Sequence, residues 1–378
     1  MMRADIKKIL KWGRNDKCWC GSGLKFKRCH DGREFQKPIS IGELMAHGNN
    51  LSEIATCYAP IELLSECSTI IKAHTISKSS GLIAISDDTN HVLGLKQNLS
   101  SLDKNGGELK LERIGINNAS TFRGFCAKHD KLLFSCFEDE LFIGTETQCV
   151  ALTYRSVAKE LYGQECLLPN AFFMRDMDKG SPLIHQLRFQ SFMQRYELDI
   201  KRSITELSLI KNNLANSVLE RAYNPYNFLI VEFSSPIPIV VSSLIEPTHD
   251  FQGSTLQGLS SLEVKTEHLV LNAFSSHQKG FVVFGWLQET KIMDKFMISL
   301  LKVGKEDIFS ALITLFLSSS KNSYVSPNWW NSLNVAQKGK IASLLPMGAD
   351  PLMDIPTNVL VDDGIKFTGW IAEKIYKV

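Results

Sequence analysis

The residues with the clearest chemistry lie near the amino terminus, in the segment GRNDKCWCGSGLKFKRCHDG. Cys18 and Cys20 are separated by one residue, and Cys29 and His30 follow side by side after eight intervening residues. Three thiolates and an imidazole are the donors a tetrahedral zinc ion takes. Gly21, Ser22 and Gly23 let the backbone double back after the first pair, so that the second pair can return from the opposite side. About twenty residues cannot bury a useful apolar core. In so short a segment zinc itself supplies folding free energy, about 10–16 kcal/mol in small zinc peptides. Four protein ligands close the coordination shell, which points to a structural ion rather than a catalytic one.

The same stretch resembles the SEC-C motif, the zinc-binding tail of the SecA translocase motor. Gly13, Arg14, Asn15, Asp16, Cys18, Cys20, Gly21, Ser22, Gly23, Lys25, Phe26, Lys27, Cys29 and His30 follow that pattern in order, and Trp19 stands where proline is frequent. The resemblance covers about 20 residues of the chain. It implies zinc and contact with a partner protein, a ribosome or a lipid surface. It does not imply a translocase, since the sequence has no GxxxxGK[ST] phosphate loop.

A second set of donors follows. Cys57, Cys67, Cys126 and His129 could together hold another zinc, the last two spaced for the start of a helix. This region resembles HNH endonucleases at a distance. AHTISKS would be the element carrying the histidine general base, His74, and FCAKHD the element opening the metal-supported helix. Such a nuclease would use His74 to activate a water, with magnesium or manganese steadying the scissile phosphate and Asp130 as the nearest further ligand. Cys57 and Cys67 are too far apart for a C-x-x-C knuckle, and the expected asparagine has no counterpart. Three readings stay open: a structural zinc, a nuclease centred on His74, and ordinary core or surface residues. Cys136, Cys149 and Cys166 read as small apolar core residues.

Charge is uneven along the chain. Residues 1–40 hold eleven Lys or Arg against four Asp or Glu, and the remainder holds 31 against 36. A basic head on a mildly acidic body suits a partner protein, a ribosome or nucleic acid. No stretch approaches the apolar length of a membrane span, and the first residues lack a signal-peptide core. The expectation is a cytoplasmic, bacterial protein, in which closely spaced cysteines favour metal over disulfides.

The elements that must position these donors are read from periodicity. DIKKILKWG suggests a short amphipathic helix. Leu82–Ile85 and His91–Leu93 look like short strands flanking an SDDTN turn. Leu99–Glu108 reads as a loop, and Leu132–Phe137 and Leu141–Ile143 as short apolar runs. Thr147–Leu161 and Gln194–Arg221 carry apolar stripes at helical spacing. Phe228–Phe233, Ile237–Ser242, Leu269–Phe274 and Phe281–Trp286 have strand composition, with helices over Lys305–Leu317 and near Trp329. The fold class is α+β. The expected units are a knuckle with its helix (1–36), a mixed central unit (52–165), a helical connector (166–225) and a carboxy-terminal α+β domain (226–378).

Weaker candidates are the acidic triplet Glu138, Asp139 and Glu140, a phosphate-binding pair Arg155 and Lys159, and a stacking platform from Asn328, Trp329 and Trp330. For each, a solvated face or a buried anchor competes with the functional role. No GxSxG or HExxH is present. The functional expectation is a zinc-binding protein docking through its basic knuckle, with the HNH-like nuclease as the alternative.

Overall fold

The computed structural model describes residues 11–49, 54–96, 98–222, 225–258, 266–349 and 355–378. The amino-terminal amphipathic helix, expected over residues 5–13, falls mostly outside them. In chain order the first elements are α1 (Ile41–Asn49), β1 (Ile70–His74), β2 (His91–Leu95), α2 (Leu99–Lys104), β3 (Leu111–Gly115) and β4 (Thr121–Cys126). Three helices follow: α3 (Ala127–Glu138), α4 (Glu146–Met174) and α5 (Leu183–Glu220). The rest is β5 (Tyr226–Phe233), β6 (Ile239–Ile245), β7 (Leu269–Ser276), β8 (Lys279–Leu287), α6 (Lys291–Leu301), α7 (Ile308–Ser319), β9 (Ser323–Val325), α8 (Pro327–Ser332), α9 (Val335–Ala349) and β10 (Ala372–Lys377). The fold is α+β.

The chain forms two compact units. One takes the described residues of Met1–Ile54 and Leu161–Ser208; the other takes Ala55–Glu160 and Leu209–Val378.

In the first unit, the carboxy-terminal part of α4 and the amino-terminal part of α5 share a small apolar core. Ala171, Met193 and Ile200 are fully buried there, with Leu168, Phe189 and Tyr196 around them. The His47 ring of α1 stacks on Phe173 at 3.7 Å, and its Nε2 lies 2.9 Å from Asn170 Oδ1.

The second unit is built on an eight-stranded sheet in the order β10-β5-β8-β7-β6-β9-β2-β3, antiparallel at every pairing. Its main core joins Val231, Phe233, Leu271, Phe284 and Trp286 of the strands to Phe296, Phe309 and Phe316 of α6 and α7. α7 is apolar nearly all round and accordingly buried on most sides. The first half of α4 lies against the sheet through small polar contacts: Ser156 Oγ is 2.8 Å from Ser242 Oγ and 3.0 Å from Asn272 Oδ1.

Several expectations shift. Leu82–Ile85 is not a strand: Gly81 N and Leu82 N both donate to Ser77 O, and the resulting helical turn buries Leu82 and Ile85 against Val92 and Val240. The polar run after Gln97 includes α2, because Asn98 Oδ1 accepts from Ser101 N and caps it. Leu132–Phe137 lies within α3, which buries Leu133, Phe134 and Phe137. α5 starts well before Gln194, at Leu183. No helix among the described residues is long and apolar enough to cross a membrane.

Two candidate metal centres

The amino-terminal loop is a closed knuckle. Asp16 caps its entry, accepting from Gly13 N at 3.1 Å, while Asp16 O and Arg14 O accept from Phe26 N and Lys27 N. These bonds explain the GRND lead. Cys18 N donates to Leu24 O at 2.7 Å, closing the turn in which Gly21 and Gly23 take left-handed backbone angles near +75°. A single 3-10 turn, Phe26–Arg28, then delivers Cys29 and His30.

The four donors converge. His30 Nδ1 lies 3.3 Å from Cys18 Sγ and 3.1 Å from Cys29 Sγ, and Cys20 Sγ lies 3.5 Å from Cys29 Sγ. Zinc bonds of about 2.3 Å to sulfur and 2.0–2.1 Å to nitrogen give a tetrahedron with sulfur–nitrogen edges of about 3.5 Å. The donor set and its spacing therefore fit a zinc ion. Sulfur–sulfur contact with Cys20 and Cys29 drives the Cys18 thiol up, and the reciprocal contact drives Cys20 down. Burial pulls His30 down, but hydrogen bonding to Asp178, Cys20 and Cys29 outweighs it and carries the imidazole up to about 10.

Behind the ligands stands a group that the sequence reading missed. Asp178, in the turn between α4 and α5, places Oδ2 3.1 Å from His30 Nε2. Its Oδ1 accepts from Arg33 Nε at 2.6 Å, and Gln190 Nε2 donates to its Oδ2 at 2.8 Å. Arg175 Nη1 donates to the Cys20 carbonyl at 2.9 Å. No local motif marks Asp178; it follows the knuckle by nearly 150 residues.

The second set of cysteines also converges, in the other unit. Thr56 and Tyr58 donate backbone N–H groups to Arg123 and Gly124 of β4, which places Cys57 between them beside that strand. A 3-10 turn over Ile61–Glu66 presents Cys67. β1 pairs antiparallel with β4, and Cys126 ends β4 as the amino-terminal cap of α3. His129 Nδ1 lies 3.5 Å from Cys57 Sγ, 3.5 Å from Cys67 Sγ and 3.3 Å from Cys126 Sγ. These are again close to the edges of a zinc tetrahedron. Burial pushes Cys126 up, but backbone N–H groups of His129 and Ser68 prevail and bring it down to about 7. Cys67 is pushed up to about 12 by desolvation and by Cys57. Both clusters are groups of four donors that could hold a metal ion.

His74 ends β1 and lines an open groove of about 460 Å³ with Lys72, Lys78, Asp130, Glu138 and Asp139. Its Nε2 lies 2.9 Å from the Ile116 carbonyl, and burial lowers its pKa. Asp130 faces the guanidinium of Arg155 at 3.3 Å; burial raises its pKa and Arg155 opposes the rise. Arg155 Nη1 lies 2.6 Å from Glu138 Oε1, and its guanidinium stacks 4.1 Å from the Phe134 ring centre. Arg155 is thus a buried structural cation rather than an exposed phosphate ligand. Asp139 pairs with Lys131. Trp329 packs beside Phe367 and Trp370, in the manner of a core anchor.

Comparison with known proteins adds one match. Residues 14–30 match the SEC-C motif family, the stretch whose four donors form the first cluster. No curated protein and no solved structure matches the chain.

Proposed function

We propose that this chain is a zinc-binding protein that uses its SEC-C knuckle to dock on an anionic surface of a partner protein, a ribosome or a nucleic acid. The observation that carries this reading is the convergence of Cys18, Cys20, Cys29 and His30 inside a loop whose rim is basic. Arg14, Lys17, Lys25, Lys27 and Arg28 are all exposed on that loop, while two of the three donor cysteines and the histidine are buried. Zinc would fix the loop backbone, and the fixed backbone would hold the cations in one array. Cys57, Cys67, Cys126 and His129 would take a second zinc that braces β1, β4 and α3.

The test is a comparison of wild-type protein with a Cys18→Ser, Cys20→Ser double variant. Zinc content should fall by one per chain. Cosedimentation with ribosomes and retention of RNA or of acidic protein should weaken, and the wild-type interaction should fade with added salt. Unchanged binding in the double variant would refute docking through the knuckle.

One observation favours a second reading, an HNH-like nuclease. The antiparallel β1–β4 pair, the donor cluster at the start of α3 and the groove shared by His74 and α3 form a compact strand–strand–helix arrangement. His74, kept neutral by burial, would accept the proton of an attacking water. Magnesium or manganese would supply charge stabilisation at the phosphate. Cleavage of DNA or RNA that requires either metal and vanishes in His74→Ala would support this reading, and inactivity across substrates and metals would discard it.

A further inference from the structure

Asp178 has no role in the knuckle motif, yet its carboxylate is spent entirely on the knuckle's surroundings. Its side chain is 1% exposed. It is held from two sides, by Arg33 and by Gln190, and the oxygen shared with Gln190 faces His30 Nε2. The holders are themselves fixed. Arg33 Nη2 donates to Arg175 O and Asp176 Oδ1, both at 2.9 Å, and Gln190 Nε2 also reaches Arg175 O at 2.8 Å. Gly180 N donates to Arg33 O at 3.1 Å. Gly180 has φ +77°, and a Cβ there would lie 2.9 Å from Gln36 O, so the close approach of the two segments requires glycine. The carboxylate is therefore placed by a network and not by an adjustable surface side chain.

A histidine binds metal through one ring nitrogen only if its proton is on the other, and a carboxylate at that other nitrogen fixes both tautomer and ring orientation. We propose that Asp178 is the positioning residue of the knuckle's zinc site: it holds the proton on His30 Nε2, leaves the Nδ1 lone pair facing the three sulfurs, and so makes zinc affinity depend on the turn between α4 and α5. This rests on the zinc reading of the knuckle. Arg33 and Gln190 act one step further out, by aiming the carboxylate. The knuckle's metal site thus extends beyond the motif, to a residue supplied by the helical part of its own unit.

The test is a double-variant cycle on the full-length protein, read as the zinc dissociation constant by competition with a chromogenic chelator. Asp178→Asn keeps the shape and removes the charge. It should weaken one zinc by about 10- to 100-fold and leave any other zinc unchanged. Asp176→Asn, which faces Arg33 but not His30, should stay within threefold of wild type. In a His30→Cys background the fourth ligand is a thiolate with no ring proton to place, and Asp178→Asn should then have no effect. A loss that persists in that background would show a purely structural role and overturn the assignment, as would unchanged affinity in Asp178→Asn alone. If wild-type protein binds no zinc that Cys18→Ser removes, the zinc reading itself falls and this assignment falls with it. The loss of affinity in Asp178→Asn alone, against an unaffected Asp176→Asn, decides the case even if His30→Cys binds zinc poorly.

Discussion

The Oδ2 atom of Asp178 lies 3.1 Å from Nε2 of His30, across 148 positions of sequence. With Arg175 holding the Cys20 carbonyl, the knuckle is tied twice to the turn between α4 and α5. Zinc removal should therefore be felt outside the knuckle. Hydrogen exchange read by mass spectrometry should show faster exchange at residues 175–200 once the metal is chelated, while the β5–β8 strands keep their protection. Equal protection with and without metal would show that the two segments fold independently.

The two clusters differ in what stands behind the histidine. His30 has Asp178 at its outer nitrogen, whereas His129 Nε2 is buried with no hydrogen-bond partner among the described residues. Outer partners typically contribute 10- to 100-fold in metal affinity. Native mass spectrometry should find two zincs per chain in protein purified without added metal, and one in Cys126→Ser. Under chelator the zinc lost first should be the one that Cys126→Ser removes.

The two donor sets show how far sequence reading reaches. Cys18, Cys20, Cys29 and His30 were legible because short spacing and glycines force them together. Cys57, Cys67, Cys126 and His129 were legible as residue types, but their convergence depends on β1 pairing with β4, which no local pattern fixes. Asp178 carried no signal, since a carboxylate in a polar turn looks solvated until the tertiary fold buries it. Arg155 was misplaced for a related reason: its stripe position suggested an exposed face, but α3 covers it with two carboxylates and two aromatic rings. Of the strands, β2 and β5–β8 were readable from β-branched and aromatic runs, whereas β1, β3, β4, β9 and β10 were not; nor was the order β10-β5-β8-β7-β6-β9-β2-β3, because β2 and β3 join a sheet otherwise built from the last 153 or so residues (a non-local pairing in the sense of).

Arg155 is among the largest fully buried side chains of the described residues, and it neutralises Asp130 and Glu138 together. Arg155→Leu would leave both carboxylates without their cation. We expect a loss of about 3–5 kcal/mol, measured by urea unfolding. Adding Asp130→Asn and Glu138→Gln should restore part of it, since the uncompensated charges are then gone.

Gly348 marks a close crossing of α7 and α9. A Cβ there would lie 2.9 Å from Leu317 O and 3.3 Å from Ser319 N, both backbone atoms that cannot turn aside. Gly348→Ala should cost about 1–3 kcal/mol. Gly339, on the same helix, has open space where its Cβ would be. Gly339→Ala should be stabilising by about 0.5–1 kcal/mol, through helix propensity alone. Thermal unfolding of the two variants separates packing from propensity: opposite shifts support the crossing, and equal shifts would deny it.

His74 gives a dependence on pH whose sign can be worked out. Burial lowers its pKa below the ordinary value of about 6.5, Lys78 and Arg155 push the same way, and the Ile116 carbonyl and Glu138 oppose them. The folded protein then holds fewer protons than the unfolded chain in the window between the two values. Stability should rise with pH through that window and be lost as pH falls from about 6.5 towards the folded-state value. His74→Gln, which cannot titrate, should remove this component. The difference in unfolding free energy between wild type and His74→Gln, measured in urea from pH 7.5 down to pH 5, should move against wild type as the pH drops. A difference that stays flat would mean that the imidazole is equally easy to protonate in the folded state, and that burial in the groove does not hold it neutral.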